Sequence, residues 1–459
     1  MELTRRERSK LGALGVAVVV GIVFIVVRVA LDEPASASGP HERSTVDTSL
    51  AERPGQAIHL DPHVLSDNGS DVLLAMPYNL DMYYGYGGVL GGDDVVVAAT
   101  GYPLPTGDLG SGTGVGPVTL VGVDTGDGSP LWKTIVGRVS ACSDTVESVV
   151  IACWSDRRIV FVDTSDGTLL SDIGTEFDVM NVRFVDDNVY VVGDSDRSPI
   201  LTRGTAMDIS ADYLRTFPRS DDLAYVAPLP EFDIAMTTYR GSGGAQYTST
   251  VYDLETGAQR FVYEGDSLQA LSKDLFVATV GIQSGSAGTQ NLLDGEGELI
   301  RAIPIPSAVV GGYPSLPSTP VPAFAGDGAY DAVTGAELWR NPLMVEGTFA
   351  KESAVVAVVG RTVVVADPEG RTIVGLDVDT GEQRWLTPWQ DAYWVRGGLT
   401  DGEYFVFGDY TGTHALRVRD GVIMWSLPLP EGADPRVVQV GPGGGHVLVS
   451  SATQFTVWT

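Results

Sequence analysis

Residues 329–339 read AYDAVTGAELW: a short apolar approach, an Asp-led turn closed by Gly335, and a second run ending on Trp339. Such a stretch folds as two antiparallel strands joined by a tight turn, because glycine takes the positive φ that closes the turn without a steric cost. The same stretch recurs as GLDVDTGEQRW at 375–385, GVDTGDGSPLW at 122–132, VYDLETGAQRF at 251–261 and, more loosely, ALRVRDGVIMW at 415–425. FVDTSDGTLLS at 161–171 and NLLDGEGELIR at 291–301 keep the turn and lose the aromatic. The turn glycines are Gly128, Gly167, Gly257, Gly297, Gly335, Gly381 and Gly421. They recur about every 40 residues, with one double gap that leaves room for a unit of degenerate turn near Ala211, in MDISADYLRTF.

Upstream of each hairpin lie two more strand-like runs, among them Val95 to Thr100, Val189 to Gly193, Val363 to Ala366 and Tyr404 to Gly408. Four strands per period is the pattern of an all-β propeller of four-stranded antiparallel blades, in which each blade covers its neighbour's apolar face and the ring leaves no open sheet face. Val437 to Val440, His446 to Ser451 and Thr453 to Trp458 supply three strands of a last blade. Val72 to Met76 is expected to supply the fourth and close the ring. The expected ring has eight blades, seven and nine being the neighbouring counts.

The pattern A-x-D-x-x-T-G-x-x-x-W resembles the repeat of the pyrroloquinoline-quinone (PQQ) type propellers, in which the Trp docks on the neighbouring blade. Trp132, Trp339, Trp385 and Trp425 hold that position and Phe261 substitutes, whereas Ser171 and Arg301 depart from it. The resemblance runs from about residue 70 to 459 and implies either of two functions. One is a quinoprotein dehydrogenase; the other is a non-catalytic scaffold such as the propeller lipoprotein of the outer-membrane β-barrel assembly machinery. In the dehydrogenases the resemblance implies a calcium ion over the quinone, an Asp base and often a disulfide between adjacent cysteines. Here the two cysteines are Cys142 and Cys153, which are not adjacent. No cofactor is expected, neither PQQ nor calcium.

The two cysteines flank a turn in DTVES, which places them opposite each other on antiparallel strands and within disulfide reach. The compartment follows from the first residues. Arg5, Arg6, Arg8 and Lys10 precede a run from Leu11 to Val27 without a charge, and Arg28 follows. A basic flank stays in the cytoplasm, so the expected arrangement is a cytoplasmic tail at 1–10, a single membrane-spanning helix or signal anchor at 11–30, an extracytoplasmic tether at 31–68 and the propeller at 69–459. A cleaved secretory signal is the alternative, with Ala35-Ser36-Ala37 as a small-x-small site. In the tether, His59 and His63 are read as solvated rather than metal-binding.

Of 459 residues, 44% are hydrophobic and 19% charged, and 59 acidic against 29 basic side chains give a net charge of −30. Such acidity excludes a general nucleic-acid binder, which needs a surplus of cations. It is not an active-site signature either: Asp124, Asp163, Asp253, Asp331 and Asp377 sit at one place in each hairpin, where an Asx-type hydrogen bond accounts for them. DTGDG and DTSDG begin like calcium loops, but Ile135 and Gly174 stand where the twelfth ligand belongs. Beyond the tether the histidines are His414 and His446, neither in a motif that pairs it with a nucleophile. A carboxylate pair converging from distant blades, as in glycoside hydrolases, is left open.

The long insertions Gly101 to Pro117, Arg240 to Ser249 and Gln283 to Gln290 fall between second and third strands and therefore crowd onto one face. Tyr102, Tyr239, Tyr247 and, from a blade-to-blade linker, Trp389 are the candidate binding aromatics of that face. The expected function is a membrane-anchored, extracytoplasmic, non-catalytic scaffold or ligand-binding module for an envelope protein or cell-surface ligand. The alternative is a PQQ-dependent dehydrogenase or cofactor binder.

Overall fold

The structure is a computed structural model. It describes residues 49–458 apart from 56, 61–64, 66–71, 74–89, 92–94, 102–116, 144–148, 186–187, 219–223, 241–246, 281–288, 304–320, 346–352, 393–394, 396–397, 430–438, 444–445 and 451–454. The expected membrane segment at 11–30 and most of the tether lie outside these residues. Among the described residues no helix is long and apolar enough to cross a membrane.

The described strands form nine antiparallel sheets that follow one another along the chain; most are four-stranded up-and-down meanders, the sixth shows three strands, and the first and ninth include strands from the N-terminal part of the chain. The second is representative: Ala141–Cys142, Val150–Ser155, Arg158–Asp163 and Leu169–Gly174. Its third strand reads RIVFVD because both faces are buried, which turns the usual polar alternation into a continuous apolar run. Val160 and Val162 pack toward the first sheet, and Ile159 and Phe161 toward the third. Nine apolar clusters of this kind join consecutive sheets, and the circuit closes on itself. In the closing cluster, Ile58, Leu60 and Val457 of the ninth sheet meet Val96, Ala98, Val121 and Val123 of the first. A ring of nine sheets results, in place of the eight expected.

The additional sheet is the unit whose turn the sequence disguises. It comprises Asp178–Val185, Asn188–Ser195, Ser198–Gly204 and Tyr213–Thr216. Its last two strands are joined by a longer connection in which Ile209 is buried and Asp208 accepts from the Ser210 backbone N–H, so the Asp-to-Gly signature is absent. The closing strand also differs from expectation. Ala57–Leu60, within the stretch read as tether, pairs with Phe455–Trp458 as the outer strand of the ninth sheet. Val72–Leu73 pairs instead with Thr100 and Gly101 in the first sheet. Ala57–Leu60 wins that place because AIHL alternates, putting Ile58 and Leu60 into the closing cluster while His59 stays exposed.

The repeat aromatics clamp sheet to sheet. The indole N–H of Trp132 donates to the Thr164 carbonyl at 3.1 Å, that of Trp339 to Val378 at 2.8 Å and that of Trp385 to Val418 at 2.6 Å, each in the 3–4 hairpin of the following sheet. The hairpin glycine lies beneath the ring, so a Cβ on Gly167 or Gly421 would come within 2.5 Å of Trp132 or Trp385. Phe261 covers Gly297 in the same way. The ninth sheet takes its outer strand from Ala57–Leu60 and has no such hairpin to offer. Trp425 reaches the Leu50 carbonyl instead, at 2.9 Å, and the Leu50 N–H donates to Asp401 at 2.7 Å.

Candidate functional site

In an up-and-down blade the 2–3 connections and the sheet-to-sheet linkers leave from one face, and the 1–2 and 3–4 turns from the other. The strands that flank 102–116, 241–246 and 281–288 are the second and third of the first, fourth and fifth sheets, as expected, while the connections themselves lie outside the described residues. Two of them are shorter than read, because the third strands begin early, as Tyr247–Asp253 and Thr289–Asp294.

Of the four candidate aromatics, three lie among the described residues, Tyr239 and Tyr247 on paired strands of the fourth sheet and Trp389 after the outer strand of the seventh. Tyr102 lies outside the described residues. Tyr239 is half-buried and donates its hydroxyl to the Pro218 carbonyl at 3.0 Å, and burial pushes its phenol pKa up. Tyr247 opens a strand and stands in register with Arg240 and Gly265. Trp389 is half-buried, and its indole N–H donates to Asp409 at 2.9 Å.

Trp389 leads to a constellation that the sequence reading missed. Asp409 follows the second strand of the eighth sheet, Tyr404–Gly408, and its side chain is fully buried. One carboxylate oxygen takes the Trp389 N–H. The other accepts from the Thr411 N–H at 2.6 Å, the Thr411 hydroxyl at 2.7 Å and the Gly412 N–H at 3.1 Å. That same oxygen is 3.0 Å from Nε2 of His414, which lies on the third strand, Gly412–Arg417. Burial alone would raise the Asp409 pKa. The hydrogen bonds from His414 and Thr411, together with the imidazole's charge interaction, outweigh it and hold the carboxyl below its ordinary value.

An ionised Asp409 fixes the imidazole tautomer. Nε2 carries the proton that the carboxylate accepts, which leaves Nδ1 as the ring nitrogen turned toward the outer strand. Nδ1 lies 2.8 Å from Oγ of Ser426, on the outer strand Val422–Pro428. The register sets the meeting, since His414 stands directly opposite Ser426. The imidazole meets Trp389 edge-on, with ring centroids 4.7 Å apart, and Phe407 at a tilt, with centroids 5.4 Å apart. Asp409 and His414 are buried, whereas Ser426 is exposed. A hydroxyl at the surface thus lies within hydrogen-bond reach of a buried imidazole oriented by a buried carboxylate. The only signal in the sequence is DYTGTH at 409–414, a short turn ahead of a lone histidine; Ser426 cannot be paired with it until the strand register is known.

Elsewhere the acidic residues are turn chemistry. Asp331 accepts from the backbone N–H groups of Val333 and Thr334 at 3.1 and 2.7 Å, and Asp377 from those of Asp379 and Thr380 at 3.0 and 3.2 Å. Among the described residues no group of three or more His, Cys, Asp or Glu side chains converges as a metal site requires. Cys142 and Cys153 are bonded and stand in register on the first two strands of the second sheet. They are buried in the cluster between the first and second sheets, a position that does not fit a disulfide lying against a quinone. On the opposite face a cleft of about 280 Å³ opens between the third and fourth sheets, but its cation Arg203 is already paired at 3.1 Å with both Asp212 and Glu255.

Residues 328–453 match the family described as outer membrane protein assembly factor BamB. They span the sixth to ninth sheets and carry the hairpins that end in Trp339, Trp385 and Trp425. This stretch is a PQQ-like propeller repeat. The same turn and clasp continue through the earlier sheets at Trp132 and Phe261. Among curated proteins none matches the chain. Several solved structures are similar to it at low identity. The computationally designed Ika8 protein aligns at 14% identity over 84% of this chain and 100% of its own, with a TM-score of 0.46. BamB from Moraxella catarrhalis aligns at 13% over 89% and 99%, with a TM-score of 0.40. A quinohemoprotein alcohol dehydrogenase from Pseudomonas putida HK5 aligns at 12% over 83% and 72%, with a TM-score of 0.38.

Proposed function

We propose that the protein is a membrane-anchored, extracytoplasmic propeller that works as a protein-binding scaffold in the cell envelope, not as a quinone-dependent oxidoreductase. The observation that carries this reading is the closed ring, whose strand order makes the long 2–3 connections of the first, fourth and fifth sheets begin and end on one face of a rigid platform. Two further facts support it. The family matched over 328–453 is named for the assembly of outer membrane proteins, and the buried Cys142–Cys153 bond suits an oxidising compartment. The basic flank and uncharged run from Leu11 to Val27 supply the anchor in this reading, with the ring on the far side of the membrane.

The test uses the full chain in its native membrane. Covalent crosslinking from the loop face, followed by replacement of residues 102–116, 241–246 and 281–288 with short Gly-Ser links, separates platform from loops. Loss of the crosslinked envelope partner in the loop-replaced protein, with the disulfide still formed, is the expected result. A partner retained with all three loops replaced overturns the assignment of the binding face.

A further inference from the structure

We propose that Ser426 is a nucleophilic serine, that His414 is its general base and that Asp409 positions the imidazole, giving the loop face of the eighth sheet an acyl-transfer activity toward carboxylic esters. This goes beyond the scaffold role and stands or fails separately from it.

The inference rests on how this sheet departs from its neighbours. Ser426 follows the clasp residue Trp425, a position held by Lys133, Arg340 and Leu386 in the first, sixth and seventh sheets, where the side chain is exposed on the outer strand. The hydroxyls and amide that bind sheet to sheet are one residue further on: Thr387 donates to the Gly421 carbonyl at 2.6 Å and Asn341 to that of Gly381 at 2.8 Å. Ser426 therefore has no clasp to make. Its Oγ instead lies 2.8 Å from Nδ1 of a buried imidazole whose Nε2 is held by Asp409. A network serving packing alone has no need to end on an exposed hydroxyl. A nucleophile does, because the electrophile must reach it.

The chemistry balances with water as the co-reactant. Ser426 Oγ forms a bond to the ester carbonyl carbon as its proton passes to Nδ1 of His414. The imidazolium so formed is stabilised by Asp409 through Nε2–H. The tetrahedral adduct expels the alcohol or phenol, which takes the proton from Nδ1, and leaves an acyl-serine. Water, deprotonated in turn by His414, adds to that ester, and the second adduct releases the acid as His414 returns the proton to Ser426 Oγ. Donors for the developing oxyanion are available because Val422–Pro428 is the outermost strand of its sheet, so alternate backbone N–H groups along it have no strand to bind. The exposed Met424 gives the same edge an apolar contact for an acyl or aryl group.

The test treats the full chain in detergent with a fluorophosphonate and maps the adduct by peptide mass spectrometry, alongside turnover of p-nitrophenyl acetate. The expected adduct is on Ser426, absent in Ser426→Ala and slowed about 100-fold or more in His414→Gln, the usual contribution of a general base. Because His414 is buried, each variant is first required to retain the disulfide and the wild-type unfolding midpoint. Asp409→Asn supplies the second variant, expected to slow labelling and p-nitrophenyl acetate turnover by disturbing the tautomer. No adduct on Ser426 in the folded wild type, or labelling unchanged in a folded His414→Gln or Asp409→Asn protein, overturns the proposal.

Discussion

Gly381 and Gly360 form a matched pair that isolates what the repeat aromatics contribute. Both have positive φ, 68° and 55°. An added Cβ at Gly360 meets nothing within 4 Å, whereas at Gly381 it would lie 2.4 Å from Cε3 and 2.6 Å from Cδ2 of Trp339. That indole cannot swing away without giving up its 2.8 Å hydrogen bond to the Val378 carbonyl. Gly360→Ala therefore costs only the left-handed backbone, about 1 kcal/mol. Gly381→Ala adds an overpacking cost of about 2 kcal/mol, for a total near 3 kcal/mol. Equilibrium urea unfolding followed by tryptophan fluorescence reads the difference, and placing Gly381→Ala in a Trp339→Ala background should return its cost to that of the backbone alone. Equal losses for the two alanines, or a Gly381→Ala cost that persists without the indole, would refute the idea that the glycine is required by the ring of the preceding sheet.

Replacing Cys142 and Cys153 together by serine should cost about 3 kcal/mol, the value for opening a short covalent loop, while mass spectrometry of non-reduced wild-type peptides should find the two residues linked. Asp409 has its pKa depressed in the folded state, so its contribution is complete above the ordinary value of 3.8 and is lost as pH falls through the folded value. The acid limb of the stability profile should accordingly flatten in Asp409→Asn, and a profile that overlays the wild type contradicts a buried carboxylate held ionised by its hydrogen bonds to His414 and Thr411. Trp425→Phe keeps an aromatic and removes the bond to the Leu50 carbonyl, which should cost about 1 kcal/mol and expose the segment around residues 49–55 to limited proteolysis before any other part of the ring. Incubation with PQQ and calcium should leave no quinone absorbance with the protein after gel filtration, and stoichiometric retention would reverse the scaffold assignment.

Much of the ring was legible because its repeat is written in backbone chemistry. The seven turn glycines found by spacing all have positive φ, from 65° at Gly335 to 80° at Gly297, and the Asp residues that lead the turns make the Asx bonds expected of them. The cysteines could be paired because the turn-forming composition of DTVES predicts the register in which Cys142 stands opposite Cys153. What escaped was whatever depends on a partner distant in sequence. The third sheet was undercounted because its 3–4 connection is longer and holds Ile209 rather than a glycine over the neighbouring side chain. The closing strand was misplaced because Val72 to Met76 and Ala57–Leu60 are both short and apolar, and only the contact with the first sheet chooses between them. His414 looked like a lone histidine because its two partners are reached by a turn on one side and by cross-strand register on the other.

The N-terminal segment connects these points to the anchor. Leu50 is buried between the eighth and ninth sheets and offers Trp425 the carbonyl that, in the other clasps, comes from the next hairpin. Seven residues later the chain enters the ring as the outer strand of the ninth sheet. The segment thus replaces two parts of a missing hairpin, the docking carbonyl and the outer strand, and the region read as a free tether is an integral part of the closure. If residues 11–30 span the membrane, the linker between bilayer and ring is shortened to roughly residues 31–48, about 18 residues and at most about 60 Å when fully extended. Lengthening this linker should change which envelope partners crosslink without changing the stability of the ring, whereas deleting residues 49–60 should open the ring itself.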